Sequence, residues 1–259
     1  MSRTSVAGNH YLGRGKLYVD RWTSAGVSTG ERYVGNASVF EPQAPDDEVV
    51  EIYDYAESTT PLIDKQVTRR KMTMNATLHE FSAKNVALAL FGTASALAQG
   101  ASSVTDEEHV AYQGTWIKLV YRNISAVTVT GTGGTPTYVE NTDYAVDATT
   151  GRIYIFTTAE GGSIADEADI EVDYTYAADT SSTIQAGMAT TIEGSLRFIA
   201  EPKQGPIFEL EVWHFSLSTE GALALISDEY GEMSLNFEVL ADSTNHPTEQ
   251  YYRVIERAA

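Results

Sequence analysis

The chain has 259 residues, 42% of them hydrophobic and 20% charged, with 20 Gly, 7 Pro and no Cys. This composition is globular and long enough for a sizeable core, and it excludes disulfide scaffolds, thiolate metal sites and a cysteine nucleophile. The net charge of −19 is unevenly placed, with 10 basic and 11 acidic residues in 1–100 against 7 and 25 in 101–259, so the later part of the chain disfavours the clustered Lys and Arg of a conventional nucleic-acid binder.

The stretch Met1 to Gly15 is polar and lacks an apolar h-region, and no apolar run reaches the roughly 18 residues of a membrane span, so synthesis and retention in a cytoplasm are expected. Strand signals follow, in alternating β-branched and aromatic residues cut by Gly, Pro, Asn and Asp. Lys16 to Arg21, Arg32 to Phe40 and Val49 to Tyr55 read as strands, and a long one runs from about Val67 to Phe81. In the long strand Met72, Met74, Ala76 and Leu78 share one face, while Lys71, Thr73, Asn75, Thr77 and His79 share the other. Between Phe40 and Val67, Pro42, Pro45, the run Asp46-Asp47-Glu48 and Glu57-Ser58-Thr59-Thr60-Pro61 predict long, mobile connections of the kind that carry binding. The basic cluster Arg69-Arg70-Lys71 reads either as a charged edge strand or as an electrostatic contact with an acidic neighbouring subunit.

Ser82 to Phe91 reads as a helix, with Ser82 as N-cap, apolar residues at helical spacing and Gly92 as its stop. A shorter helix is expected from Thr219 to Ile226 behind Ser218. Small, polar seams at Ala94 to Ser103 and Ala177 to Ala189 bracket a β-unit at residues 110–176, within which 110–180 holds 3 basic against 10 acidic residues. Its strands are Ile117 to Tyr121, Ala126 to Thr130, Tyr144 to Val146, Ile153 to Thr157 and Ile170 to Tyr176. Beyond the second seam the first pattern resumes in Thr191 to Ile199, Phe208 to Leu217 and Ser234 to Leu240. The expected fold is therefore mainly β: a discontinuous domain of residues 1–94 plus 181–259, carrying an inserted small β-domain.

Chemistry is sparse. The five His are scattered without metal-ligand spacing. Glu209 and Glu211 share a strand face at a separation of about 7 Å that a glycosidase pair could tolerate, but same-strand carboxylates on a wet face are ordinary solvation. The loop Gly131 to Gly134 lacks the ending of a phosphate loop and precedes no helix, and no nucleophile elbow or calcium loop is present. Trp22, Trp116 and Trp213 read as core aromatics in preference to sugar platforms. No metal, cofactor or reaction is expected.

The order of these patterns carries a resemblance. Gly15-Lys16-Leu17-Tyr18-Val19-Asp20, then Glu31 to Ala37 with Phe40-Glu41, then the long strand into Ser82-Ala83-Lys84-Asn85-Val86-Ala87-Leu88-Ala89-Leu90-Phe91-Gly92, resembles the major tail tube proteins of long-tailed bacteriophages. Gly205 to Leu210, Gly221 to Ser227 and Leu235 to Asp242 are similar to the closing half of that family. Asp143-Tyr144-Ala145-Val146-Asp147 with Thr150-Gly151-Arg152-Ile153 resembles a small Ig-like β-module of phage structural proteins.

The resemblance implies a tail-tube-type β-sandwich or barrel flanked by one α-helix, assembled as stacked hexameric rings in a virion tail. The partners it implies are other copies of the chain, tail terminator and baseplate proteins, and, in the lumen without specific binding, the tape-measure protein and DNA. On this reading Glu193, Glu209, Glu211 and Glu238 face an acidic channel that repels phosphates. Arg69, Arg70 and Lys71, with Asp46, Asp47 and Glu48, are candidate inter-subunit contacts. The arm Met1 to Arg14 and the segment Pro42 to Gln66 are candidates for contacts between rings that order on assembly. A tail-completion or baseplate ring, and a carbohydrate-binding β-protein, are the competing readings.

Overall fold

The computed structural model of the protein describes residues 10–56, 58–218 and 223–257. It is mainly β, and its strands fall in two compact units, Met1–Ala94 with Ile184–Ala259, and Ser95–Thr183. The first unit opens with β1 (Gly15–Arg21), β2 (Arg32–Tyr33), β3 (Ala37–Pro42), β4 (Asp46–Tyr53), β5 (Leu62–Leu78) and α1 (Ala83–Ala89). Strand β6 (Thr93–Ala96) leads to β7 (Ser102–Ala111), β8 (Trp116–Lys118), β9 (Ile124–Gly131), β10 (Tyr144–Asp147), β11 (Arg152–Ile155) and β12 (Ala168–Tyr176). The returning β13 (Ser182–Gln185) pairs with β6, and the first unit is completed by β14 (Glu193–Ala200), β15 (Ile207–Ser218), β16 (Met233–Val239) and β17 (Tyr252–Arg257).

In the first unit the antiparallel order is β2-β1-β14-β15-β16-β5-β3, with β17 on the first half of β15 and β4 on the first half of β5. Period-2 alternation makes this sheet. Met74, Ala76 and Leu78 of β5, Leu210 and Val212 of β15, and Leu235, Phe237 and Val239 of β16 are buried, and the residues between them are not. The buried side chains form one core, in which Phe215 and Phe237 meet edge to face at 4.9 Å. The sheet curls so that Phe40 of its terminal strand β3 comes within 5.1 Å of Phe198 on β14.

Helix α1 closes one side of this core. The Ser82 hydroxyl accepts from the Asn85 amide, and Ala87 and Leu88 are buried. Asn85 is buried as well, its Nδ2 donating to the Val34 carbonyl at 2.6 Å and the Glu80 carbonyl at 2.9 Å, which ties the helix to the corner between β2 and β3. That corner splits the strand expected from Arg32 to Phe40, because Gly35 turns the chain at φ +89°.

The second unit is a small sandwich of two three-stranded sheets, β7-β12-β9 and β10-β11-β8, around Ile153, Ile155, Ile164, Ile170, Val172 and Tyr174. Its Asp143 to Ile153 motif is structural. The Asp143 carboxylate accepts from the Val139 and Ser163 amides at 2.7 and 2.8 Å. Hydrogen bonds from Thr150 and Arg152 hold the Asp147 carboxyl down to about 2, and Gly151 turns at φ +68° where a Cβ would strike the Tyr121 carbonyl.

Four expectations change. In the segment Pro42 to Gln66, read as mobile connections, the strand expected at Val49 to Tyr55 is present but begins at Asp46, and β5 begins already at Leu62, because Asp46, Asp47 and Glu48 pair in register with Lys71, Arg70 and Arg69. Strand β7 lies in the first seam and before residue 110, so the second unit begins earlier than its hydrophobic pattern announces. Strand β17 matches no expected element. The helix expected from Thr219 to Ile226 falls partly on residues 219–222, outside the described residues, and 223–226 are not helical. Among the described residues no helix is long and apolar enough to cross a membrane.

The core placement has a direct test. Phe237→Ala should destabilise the protein by about 3–5 kcal/mol in chemical denaturation. A loss under about 1 kcal/mol, the range of an exposed position, would contradict the packing of Phe215 on Phe237.

Candidate functional site

The feature that stands out from the core is the ribbon formed by β4 and the first half of β5. Residues 62–71 of β5 are all exposed, whereas Met74, Ala76 and Leu78 of the same strand are buried. The ribbon is not a polar loop: Val50 and Ile52 are each 56% exposed, Ile63 63% and Tyr55 81%, with Leu62 and Val67 beside them. The register puts Val50 and Ile52 on one face and Ile63 and Val67 on the other, so both faces carry bare apolar side chains; a two-stranded ribbon is marginal by itself in water, and such exposure marks an interaction site.

The charges at the base of the ribbon hold it together. Arg70 donates from Nε and Nη2 to the two Asp47 carboxylate oxygens, both at 2.9 Å, which keeps Asp47 below the usual carboxylate range. Arg69 meets Glu48 at 3.5 Å, Lys65 meets Glu51 at 3.6 Å, and Lys71 reaches Glu238 on β16 at 2.7 Å. The six residues expected to bridge subunits thus sit opposite one another on two strands of one chain, and five of them are tied by these pairs. The cause is simple: antiparallel register brings the acidic run and the basic run together within one copy. Exposed pairs of this kind each add little stability, so they fix register more than they drive folding.

The open face of the large sheet holds the four glutamates expected to line a channel. Glu209 and Glu211 alternate with buried Leu210 and Val212, and Glu238 lies between buried Phe237 and Val239. Each has a cationic or imidazole side chain within reach. Arg197 reaches Glu31 at 2.9 Å, Glu209 at 2.8 Å and Glu211 at 2.9 Å. Arg253 adds Glu211 at 2.6 Å and Glu249 at 3.3 Å, and His214 lies 3.2 Å from Glu193. Ion pairs run across this face in a ladder, because the strand register places Glu211 between Arg197 on β14 and Arg253 on β17. The same guanidinium engages both members of the Glu209 and Glu211 pair.

The aromatics divide. Trp213 is capped by His246, stacked at 3.8 Å, and its Nε1 donates to the Glu249 carbonyl at 2.7 Å. Trp22 stacks on His214 at 4.9 Å. Trp116, expected in the core, is instead exposed on β8 beside Tyr154, with the Arg152 guanidinium 5.0 Å over its ring. The glycine-rich loop is already filled by its own chain: the Gly133 and Gly134 amides donate to the Glu171 carboxylate at 3.0 to 3.2 Å. Among the described residues no three His, Asp or Glu side chains are placed to hold a metal ion.

A further surface escaped the sequence reading. Beside the curl of the large sheet, Tyr11, Phe40, Phe198, Phe208 and Val254 line an open apolar groove of about 470 Å³. Its aromatics come from four separate segments, so no local pattern announces it.

The loop that places His246 on Trp213 carries a pH signature. Hydrogen bonds from the Asn245 backbone amide, the Asn245 side chain and His246 hold the Asp242 carboxyl down to about 2. The folded value lies below the unfolded one of about 3.9, so this contribution to stability is complete above about pH 4 and is lost as pH falls through about 2. The Tm difference between the wild type and Asp242→Asn should therefore be constant from pH 7 to 5 and close between about pH 4 and 2. A difference that persists unchanged at about pH 2 would contradict the assignment.

No curated protein matches the chain. A family pattern matches residues 10–255, nearly the whole sequence and both units, and the chain belongs to that family, described as Protein of unknown function UCP028589.

Proposed function

We propose that the protein is a structural subunit that assembles with copies of itself into the tail tube of a long-tailed bacteriophage, as rings stacked into a hollow polymer, and that it catalyses no reaction. The observation that carries the reading is the ribbon: a single copy leaves Val50, Ile52, Leu62, Ile63 and Val67 uncovered on two strands that project beyond their own core. Such a surface gains its burial from a second molecule. The apolar groove beside the curled sheet, on the same unit, adds a surface of matching character. The chain order that resembles tail tube proteins supplies the kind of polymer.

On this reading the open face of the large sheet lines the channel, and its ion-pair ladder gives the passage of DNA a physical basis. Arg197, Arg253 and Lys71 already hold carboxylates, so a passing phosphate must displace a bound partner to be retained. The chain's excess of negative charge adds a repulsive background at low salt. The lumen serves the tape-measure protein and later DNA without specific binding, and terminator and baseplate proteins meet the ends of the tube.

Val50→Asp combined with Ile63→Asp tests the ribbon. Both positions are exposed in one copy, so the stability of the isolated subunit should change by no more than about 0.5 kcal/mol. Polymer seen for the wild type by sedimentation velocity should be lost. Assembly at the wild-type concentration by this variant would overturn the proposal.

A further inference from the structure

Cations in this chain are few, 17 Lys and Arg against 36 Asp and Glu. In the first unit Lys16, Lys65, Arg69, Arg70, Lys71, Arg197 and Arg253 each form an ion pair with a carboxylate of the same chain. Among the described residues of this unit Arg14, Arg21, Arg32, Lys84, Lys203 and Arg257 form none, and three of them, Arg21, Arg32 and Lys84, line one pocket of about 460 Å³. Arg21 ends β1 and donates to the Gly92 carbonyl at 2.7 Å, Arg32 belongs to β2, and Lys84 is in α1.

The pocket's one carboxylate, Glu31, is held by Arg197 at 2.9 Å, and Glu80 acts on Arg32 from beyond ion-pair distance. Burial pushes the Arg21 and Arg32 guanidinium groups below their ordinary range, as expected of cations that have lost water without gaining an anion. Two half-buried guanidinium groups gathered beside the exposed Lys84 ammonium fit an acidic ligand.

The same unit displays such a segment. Between β15 and β16, Leu225, Ile226 and Tyr230 are 80%, 97% and 95% exposed. Asp228 and Glu229 lie among them and form no ion pair among the described residues, the Glu229 amide being turned back onto the Ser227 hydroxyl at 3.0 Å. Carboxylates without ion pairs, carried on a projecting segment, complement this cationic pocket in charge.

We propose that residues 225–230 of one copy seat in the Arg21, Arg32 and Lys84 pocket of a second copy, with the Asp228 and Glu229 carboxylates on the cations. The inference rests on the assembly reading above and names one contact within it. Pocket and segment are different patches, so the contact is head-to-tail, and its repetition closes a ring or extends a filament.

Charge reversal on full-length protein tests the seating. Arg32→Glu with Lys84→Glu makes the pocket acidic, and Asp228→Lys with Glu229→Lys makes the segment basic. Each variant alone should raise the concentration needed for assembly about tenfold or more. An equimolar mixture should restore assembly, because each pocket then finds a segment of opposite charge on the other variant. If the pocket variant fails to fold by thermal melting, Lys84→Glu at an exposed position takes its place.

Unimpaired assembly by both variants, or a mixture of folded variants that stays unassembled, overturns the seating while wild-type polymer leaves the broader reading standing. A wild-type protein that never polymerises overturns both.

Discussion

Strand β5 runs without a break for 17 residues, and its two halves meet opposite environments. From Met72 to Leu78 it is an interior strand between β16 and β3, with every second side chain in the core. From Leu62 to Lys71 it pairs with β4, and among the described residues no second layer covers either face of it. The core half anchors the bare half, because a strand fixed at one end by three-stranded pairing projects its hydrogen-bonding direction into solvent. Anchoring of this kind lets a marginal two-stranded ribbon persist in a single copy, with the ion pairs at its base setting register.

The charge distribution follows from the same strand geometry. Antiparallel register brings Asp46, Asp47 and Glu48 opposite Lys71, Arg70 and Arg69, and it brings Arg197 and Arg253 to either side of Glu211. The cations these ladders consume are scarce, 17 in the whole chain, so what remains exposed is chiefly acidic. The second unit alone, residues 95–183, carries 3 basic and 13 acidic side chains. Its carboxylates turn inward where they can, Glu171 onto glycine amides and Asp143 onto Val139 and Ser163, and serve as local ties.

Much of this architecture is legible in the sequence wherever a strand has one dry face and one wet face. Met74, Ala76 and Leu78, or Leu235, Phe237 and Val239, announce their strands by alternation, and Ser82 to Gly92 announces a capped helix. Strand β7 is hidden because most of its side chains lie in water, so Ser102 to His109 reads as polar linker. Strand β17 is hidden because its burial, exposed on most residues of both faces, lacks a period of two.

The ribbon was obscured by Pro42, Pro45 and the Ser-Thr-Thr-Pro turn, which are loop signals taken singly. Its signature is a relation between distant runs, three acids and three bases at mirrored positions about that turn. The ion-pair ladder lay beyond reach for the same reason: spacing along β15 shows that Glu209 and Glu211 share a face, but only register shows that Arg197 lies across from them. The groove and the cationic pocket, assembled from separate segments, leave no local signal at all.

The account turns on self-assembly, and negative-stain electron microscopy of the purified full-length protein across concentration and salt addresses it most directly. It predicts hollow tubes of uniform width built from stacked rings. Isolated rings that never stack would move the protein to the end of a tail, and monomers at every concentration and salt would contradict the account.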